Sequence, residues 1–307
     1  MKFYIVDAFT ETTFGGNPAG VVILPEGSDF PSDETMVKTA AELRYSETAF
    51  IRRLNQKEFQ IRYFTPAAEV ELCGHATIGS FCALLYGGYI EDNCTYMNHT
   101  LSGDLNIAVK DGFVLMDMAE PVKINEISDP AALEELYRIM GLSYEEQKSR
   151  GVTLLPQMIS TGLPDIMMPV ATQADLAAIA PDFPALSALS ERYKVVGVHA
   201  FTLDGEGDAV KTTCHVRNFA PLYDIDEEAA TGTSNGALTY YGYLNGFVAD
   251  GDDCRFVQGE AMNRPSVILS HLDVDCSAGG CEEGSARPCF IQVGGSGVVL
   301  AEGEIHI

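Results

Sequence analysis

Arg62-Tyr63-Phe64-Thr65-Pro66 recurs 155 positions later as Arg217-Asn218-Phe219-Ala220-Pro221. Each copy follows an Ala-Phe pair, Ala49-Phe50 and then Ala200-Phe201, inside a stretch of β-formers. Each leads through acidic residues to a glycine, Gly74 or Gly232, and then into an apolar run, Ile78 to Tyr86 or Ala237 to Leu244. Landmarks repeated in one order over half a chain indicate duplication, and a period this long is not that of a solenoid. A chain of 307 residues has room for two such halves. The boundary is expected near Pro121, giving domains 1–120 and 121–307, with the last strand able to cross back to the first.

Local pattern fills in the halves. Lys2–Val6, Val21–Ile23, Ala49–Arg53, Phe59–Phe64 and Leu105–Met118 read as strands, the last broken by an Asp111-Gly112 turn. Helices are expected at Asp33–Leu43, from about Ala76, at Pro130–Met140, Gln173–Ala180, Pro184–Arg192 and Ser234–Leu244. Ser128 and Asp129 are cap candidates for the third of these, with Gly141 as its stop. Strands follow at Val195–Leu203, Lys211–Phe219, Ser266–Leu272, Phe290–Val293 and Val298–Ile307. The fold class is α+β: two strand-rich halves, each with one prominent apolar helix.

Charge narrows the function. Lys and Arg total 19 against 44 Asp and Glu, a net charge of -25, which repels nucleic acid and anionic membrane surfaces. Met1 to Gly16 is neither a signal peptide nor a targeting helix, and no run approaches the roughly 18 apolar residues of a membrane span. Eight scattered cysteines then read as reduced thiols of a cytoplasmic protein.

The helices starting after Gly74 and Gly232 carry the chemistry. A helix N-terminus offers unpaired N–H groups and the positive end of its dipole, a setting suited to a carboxylate. Related domains meeting about a pseudo-twofold axis would bring both tips to one small carboxylate substrate. Nearby lie Ser46, Glu47, His75, Glu228, Thr233 and Ser234. A carboxyl desolvated there is suited to general acid/base work.

Longer motifs make a resemblance specific. Val6-Asp-Ala-Phe9, Gly16-Asn-Pro-Ala19, Ser46-Glu-Thr-Ala-Phe50, Phe64-Thr-Pro66 and Leu72-Cys-Gly-His-Ala-Thr77 occur in order in the first half. Ser160-Thr-Gly162, Ala230-Thr-Gly232, Gln258-Gly259, Arg264-Pro-Ser266 and Val293-Gly-Gly295 complete the series. Together they resemble the PhzF-like family of phenazine biosynthesis across almost the whole chain. The resemblance implies the diaminopimelate-epimerase fold, in which two similar domains each wrap a sheet around a central helix. It also implies a homodimer and an isomerase without metal or organic cofactor, in which Glu47 carries a proton between substrate carbons and His75 contacts the substrate. The family's Glu-Asp-Pro-x-Thr-Gly-Ser stretch reads here Glu227-Glu228-Ala229-Ala230-Thr231-Gly232-Thr233. Glu228 therefore stands for the aspartate and Thr233 for the serine, which keeps the chemistry but alters reach and room. Glu47, His75 and Glu228 are the expected catalytic groups; Ser46, Gly74, Gly232, Thr233 and Ser234 are the expected substrate contacts.

Rival patterns are weaker. Racemases of this fold use two cysteines, but the counterpart of Cys73 is Thr231 and the residue after the glycine is Thr233. Cys73 then reads as buried and inert, although a cysteine-assisted epimerase stays an alternative. A non-catalytic small-molecule-binding protein is another. Gly232-Thr-Ser234-Asn-Gly236 matches a hydrolase elbow formally but lacks the preceding strand and ordered partners; Ser234 reads as a helix cap or ligand contact. His271, Cys276, Cys281 and Cys289 lack the close cysteine pair of structural zinc, and Asp273–Ser285 reads as a surface hairpin insertion. His99, His199 and His215 have no motif around them.

Overall fold

A computed structural model describes residues 1–205, 208, 210–274 and 289–307. The chain forms two compact units, Met1–Asp117 with Arg264–Val267 and Gly294–Ile307, and Met118–Asn263 with Ile268–Val293.

In the first unit Gly297–Glu304 lies antiparallel to Lys2–Ala8, which pairs antiparallel with Asn17–Ile23. Thr48–Arg53 follows in parallel, then Glu58–Phe64 antiparallel and Cys94–Thr100 in parallel. Gly103–Lys110 and Phe113–Asp117 continue the sheet as antiparallel strands. The Gly74–Tyr86 helix touches strands from both ends of this series, so the sheet curls around it. Burial runs unbroken from His75 to Leu84, as expected for a helix enclosed on all sides.

The second unit repeats the alternation. Gln157–Ser160 is antiparallel to Pro164–Pro169, which is parallel to Val198–Thr202. Cys214–Ala220 follows antiparallel, and Asp253–Gln258 lies parallel to it. Here Gly232–Leu244, 13 residues long like its counterpart, is the central helix. Outside the sheet, Pro130–Ile139 and Phe183–Tyr193 bury Leu133, Leu136, Leu186 and Leu189 in a second core. The smaller equivalent in the first unit is Asp33–Leu43, packing Met36 and Ala40 against Phe50 and Phe64.

Register explains the repeated motif. Thr48 faces Phe64, and Val198 faces Phe219. Arg62 grips Glu69 through two bonds of 2.7 and 2.6 Å, while Arg217 grips Glu227 at 2.8 and 2.7 Å. Both glutamates sit four residues before their helix N-cap, Cys73 or Thr231. The paired arginines thus hold the acidic strand that delivers each tip; bidentate geometry is what arginine offers over lysine.

A further repeat emerges only from pairing. Gly20 N–H donates to Glu47 O, and Ile166 N–H donates to Gly197 O. Gly16-Asn17-Pro18-Ala19 therefore corresponds to Gly162-Leu163-Pro164-Asp165. The first of these turns is closed by Arg264, which donates to Gly15 O, Gly16 O and the buried Asp7 carboxylate.

Several elements differ from the sequence expectation. Cys94–Thr100, Val122–Glu126, Gln157–Ser160, Pro164–Pro169 and Asp253–Gln258 are strands without a continuous β signal; they are short, and cross-strand pairing supplies what local propensity lacks. Both central helices begin two residues earlier than expected, at their glycines. Asp129, not Ser128, caps Pro130–Ile139. Cys276, Cys281 and most of Asp273–Ser285 lie outside the described residues, as does the Cys289 side chain. Among the described residues, no helix is long and apolar enough to cross a membrane.

Candidate active site

At the first tip, Glu47 precedes the Thr48–Arg53 strand, while Cys73 and His75 occupy the N-cap and second position of the Gly74–Tyr86 helix. His75 Nε2 is 3.2 Å from Glu47 Oε2 and 3.3 Å from Ser46 Oγ. The Glu47 side chain is 14% exposed, and its Oε2 is buried without an aligned hydrogen bond. Contact with His75 is therefore close but poorly directed, which leaves that oxygen's lone pairs poorly used. Burial lowers the His75 pKa, partly opposed by Glu47, so the ring is neutral at neutral pH. One nitrogen then donates while the other accepts.

Cys73 Sγ lies 3.4 Å from His75 Nδ1 and 3.9 Å from Nε2. Such similar distances set the sulfur beside the ring, off the in-plane axis of either nitrogen. Ligand atoms of Glu47, Cys73 and His75 fall within 4.8 Å of one another. A soft divalent ion on the Nε2 axis would still require Cys73 to turn before thiolate, imidazole and carboxylate could share it.

At the second tip, Thr231 is the N-cap and Gly232 the first helical residue. Neither N-cap side chain, Cys73 nor Thr231, accepts a capping bond from the backbone of its own helix. The Thr231 hydroxyl instead donates to Glu228 Oε2 at 2.7 Å. Thr233 is half-buried, and its carbonyl accepts from Thr161 Oγ1 at 2.9 Å. Ser234 does not cap the helix. It lies in the first turn, fully buried, and its hydroxyl donates to Asp165. The capping expectation fails because the N-cap position falls three residues earlier, at Thr231.

A chain of side chains behind this tip was not read from the sequence. Asn218 Nδ2 donates to Ser234 Oγ and His199 Nδ1, both at 3.2 Å. His199 Nε2 reaches Asn235 Oδ1 at 3.3 Å, and Asn235 Nδ2 donates to Gln258 Oε1 at 3.0 Å. Gln258 Nε2 donates to Glu228 O at 2.8 Å and Thr231 Oγ1 at 3.1 Å. Burial pushes the His199 pKa down to about 4, so the imidazole is neutral. It pushes Asp165 up to about 6, against the hydrogen bonds that favour its ionised form. Glu228, Thr231, Ser234 and Gln258 stood in recognised motifs and Asn218 at a variable position of the repeated Arg-x-Phe-x-Pro, but His199 and Asn218 are ordinary strand residues until pairing brings them together.

The other histidines are structural or exposed. His215 is held between Glu260, at 2.8 Å, and Asp208, at 3.1 Å. His99 pairs with Asp104 at 2.7 Å and His271 with Asp253 at 2.7 Å.

Proteins similar to this chain over nearly its whole length are named isomerases, and that is the class it falls in. An uncharacterized isomerase of Clostridium acetobutylicum is 30% identical to this chain over 313 residues, covering 99% of it and 97% of that protein. The uncharacterized isomerase YddE of Escherichia coli K12 is 31% identical, covering 99% and 97%. The crystal structure of a Bacillus anthracis phenazine biosynthesis protein of the PhzF family superimposes with a TM-score of 0.84 at 25% identity, covering 100% of this chain and 99% of that one. Residues 6–303 match the model of the PhzC-PhzF family, the phenazine biosynthesis-like proteins. The chain belongs to that family.

Proposed function

We propose that this isomerase moves a proton between carbons of a small carboxylate-bearing metabolite in the cytoplasm, with Glu47 as its single proton carrier. The Glu47 carboxylate takes a proton from a substrate C–H, and the electron pair delocalises into the substrate's own π system. The carboxylic acid so formed returns the proton to a second carbon, leaving the enzyme unchanged. His75 packs its Nε2 against Glu47, and the positive end of the helix that begins after Cys73 favours the substrate carboxylate. Glu228 and Thr233 bind the substrate.

One asymmetry carries this assignment. The position matching Glu47 in the second unit is Gly197, where an added Cβ would lie 1.8 Å from Phe219 O. That site excludes any side chain, so a carboxyl at this position, just before the strand, exists in the first unit and has no counterpart in the second. The test is incubation of small amino and hydroxy carboxylic acids with the enzyme in heavy water, read by mass spectrometry. Glu47→Gln should abolish deuterium uptake while retaining binding; uptake at the normal rate in that variant removes Glu47 from the role.

Cys73 beside His75 favours a second reading, a cysteine-assisted epimerase in which the thiol is one of two proton carriers. Its mark would be inversion at one carbon with deuterium entering only the product, and loss of that inversion in Cys73→Ser.

A further inference from the structure

We propose that Gln258 is a positioning residue for Glu228, the hub through which a buried hydrogen-bond chain sets the substrate-facing carboxyl of the second tip. It goes beyond the proton-carrier assignment but rests on Glu228 touching substrate. Gln258 is fully buried and every valence of its amide is used. Oε1 accepts from Thr231 N–H at 3.1 Å and Asn235 Nδ2 at 3.0 Å. Nε2 donates to Glu228 O and to Thr231 Oγ1, whose hydroxyl proton then points at Glu228 Oε2. Reversing the amide would set NH2 against two donors, so only one orientation is compatible with these neighbours.

Polarity is consistent throughout. Asn218 donates to His199 Nδ1, so the neutral ring must carry its proton on Nε2, where it donates to Asn235 Oδ1. Asn235 in turn can only donate onward to Gln258. Each member fixes the next, and the last fixes both the backbone and a carboxylate oxygen of Glu228. Buried networks of this kind are stiff when complete and costly when one member is wrong.

Glutamate at 258 preserves shape but replaces two donors with an acceptor facing Glu228 O and Thr231 Oγ1. With whichever acid of the heavy-water panel exchanges, Gln258→Glu should raise KM about 10- to 100-fold and change kcat far less. In a Glu228→Gln background the same substitution should add less than about 3-fold, because the group being positioned is already altered. Full additivity in that background, or an unchanged KM, overturns the proposal. Should Gln258→Glu fail to fold, the histidine arm decides. His199→Phe breaks the chain and should raise KM, and His199→Gln, which can both accept and donate, should recover most of the loss; equal effects of the two overturn it. Independently of any substrate, 15N NMR of the imidazole should show the neutral Nε2–H form, with resonances that move in Gln258→Glu; an Nδ1–H or charged ring breaks the chain. Absence of deuterium uptake by wild-type enzyme with every acid would instead count against the proton-carrier assignment, leaving this NMR result to judge the network.

Discussion

The two helix tips share a backbone plan and differ in how their polar groups are used. Both start at glycine, both follow an arginine-held acidic strand, and neither is closed by its N-cap side chain. The first gathers a carboxyl, an imidazole and a thiol with few aligned bonds between them. At the second, Glu228 is tied by a hydroxyl and an amide into a chain of buried partners. A group that must gain and lose a proton needs lone pairs in reserve, whereas a group that holds a ligand benefits from being fixed. Duplication supplied the same frame twice, and divergence left the groups of one copy loosely paired and tied those of the other into a network.

The largest effect should come from the first tip. Glu47→Gln is expected to slow proton exchange about 100- to 10,000-fold with an unchanged melting profile; a loss below 10-fold would erase the contrast. Next is the attempt to make the tips alike. Gly197→Ala forces a Cβ against Phe219 O and should cost about 3 kcal/mol in a denaturant titration, while a tolerated alanine would mean the second unit could have carried its own carboxyl.

Asp165 probes the second tip through pH. Its pKa is raised to about 6 by burial, from roughly 4 in an unfolded chain. The folded state thus holds a proton that the unfolded state releases, so this group lowers stability as pH climbs from about 4 to 6. Below that window both states are protonated and the penalty vanishes; above it the penalty levels off on the order of 3 kcal/mol. Asp165→Asn should flatten the slope of wild-type stability across that window, and identical slopes would place the charge elsewhere. The smallest effect is reserved for Cys73→Ser, which should slow exchange less than about 10-fold if the thiol only packs beside His75. Complete loss would move the chemistry from carboxylate to thiol.

The duplication was legible because its landmarks are local: an arginine, a turn proline and a glycine keep their spacing whatever surrounds them. Glu47, His75 and the two glycines were legible through motif resemblance, and the structure brings Glu47, His75 and Cys73 within reach of one another. Asp165, Asn218, His199 and Asn235 were not, since each is an unremarkable polar residue within its own element. The sequence by itself determined that two related halves would form and which helix tips would gather polar side chains, since period and spacing survive in one dimension. Tertiary structure decided which strand pairs with which, that Gly297–Glu304 closes the first sheet against Lys2–Ala8, and that a glycine stands where a second glutamate would have been. Those outcomes depend on register and on the distance between backbones from distant parts of the chain, quantities that no window of residues contains.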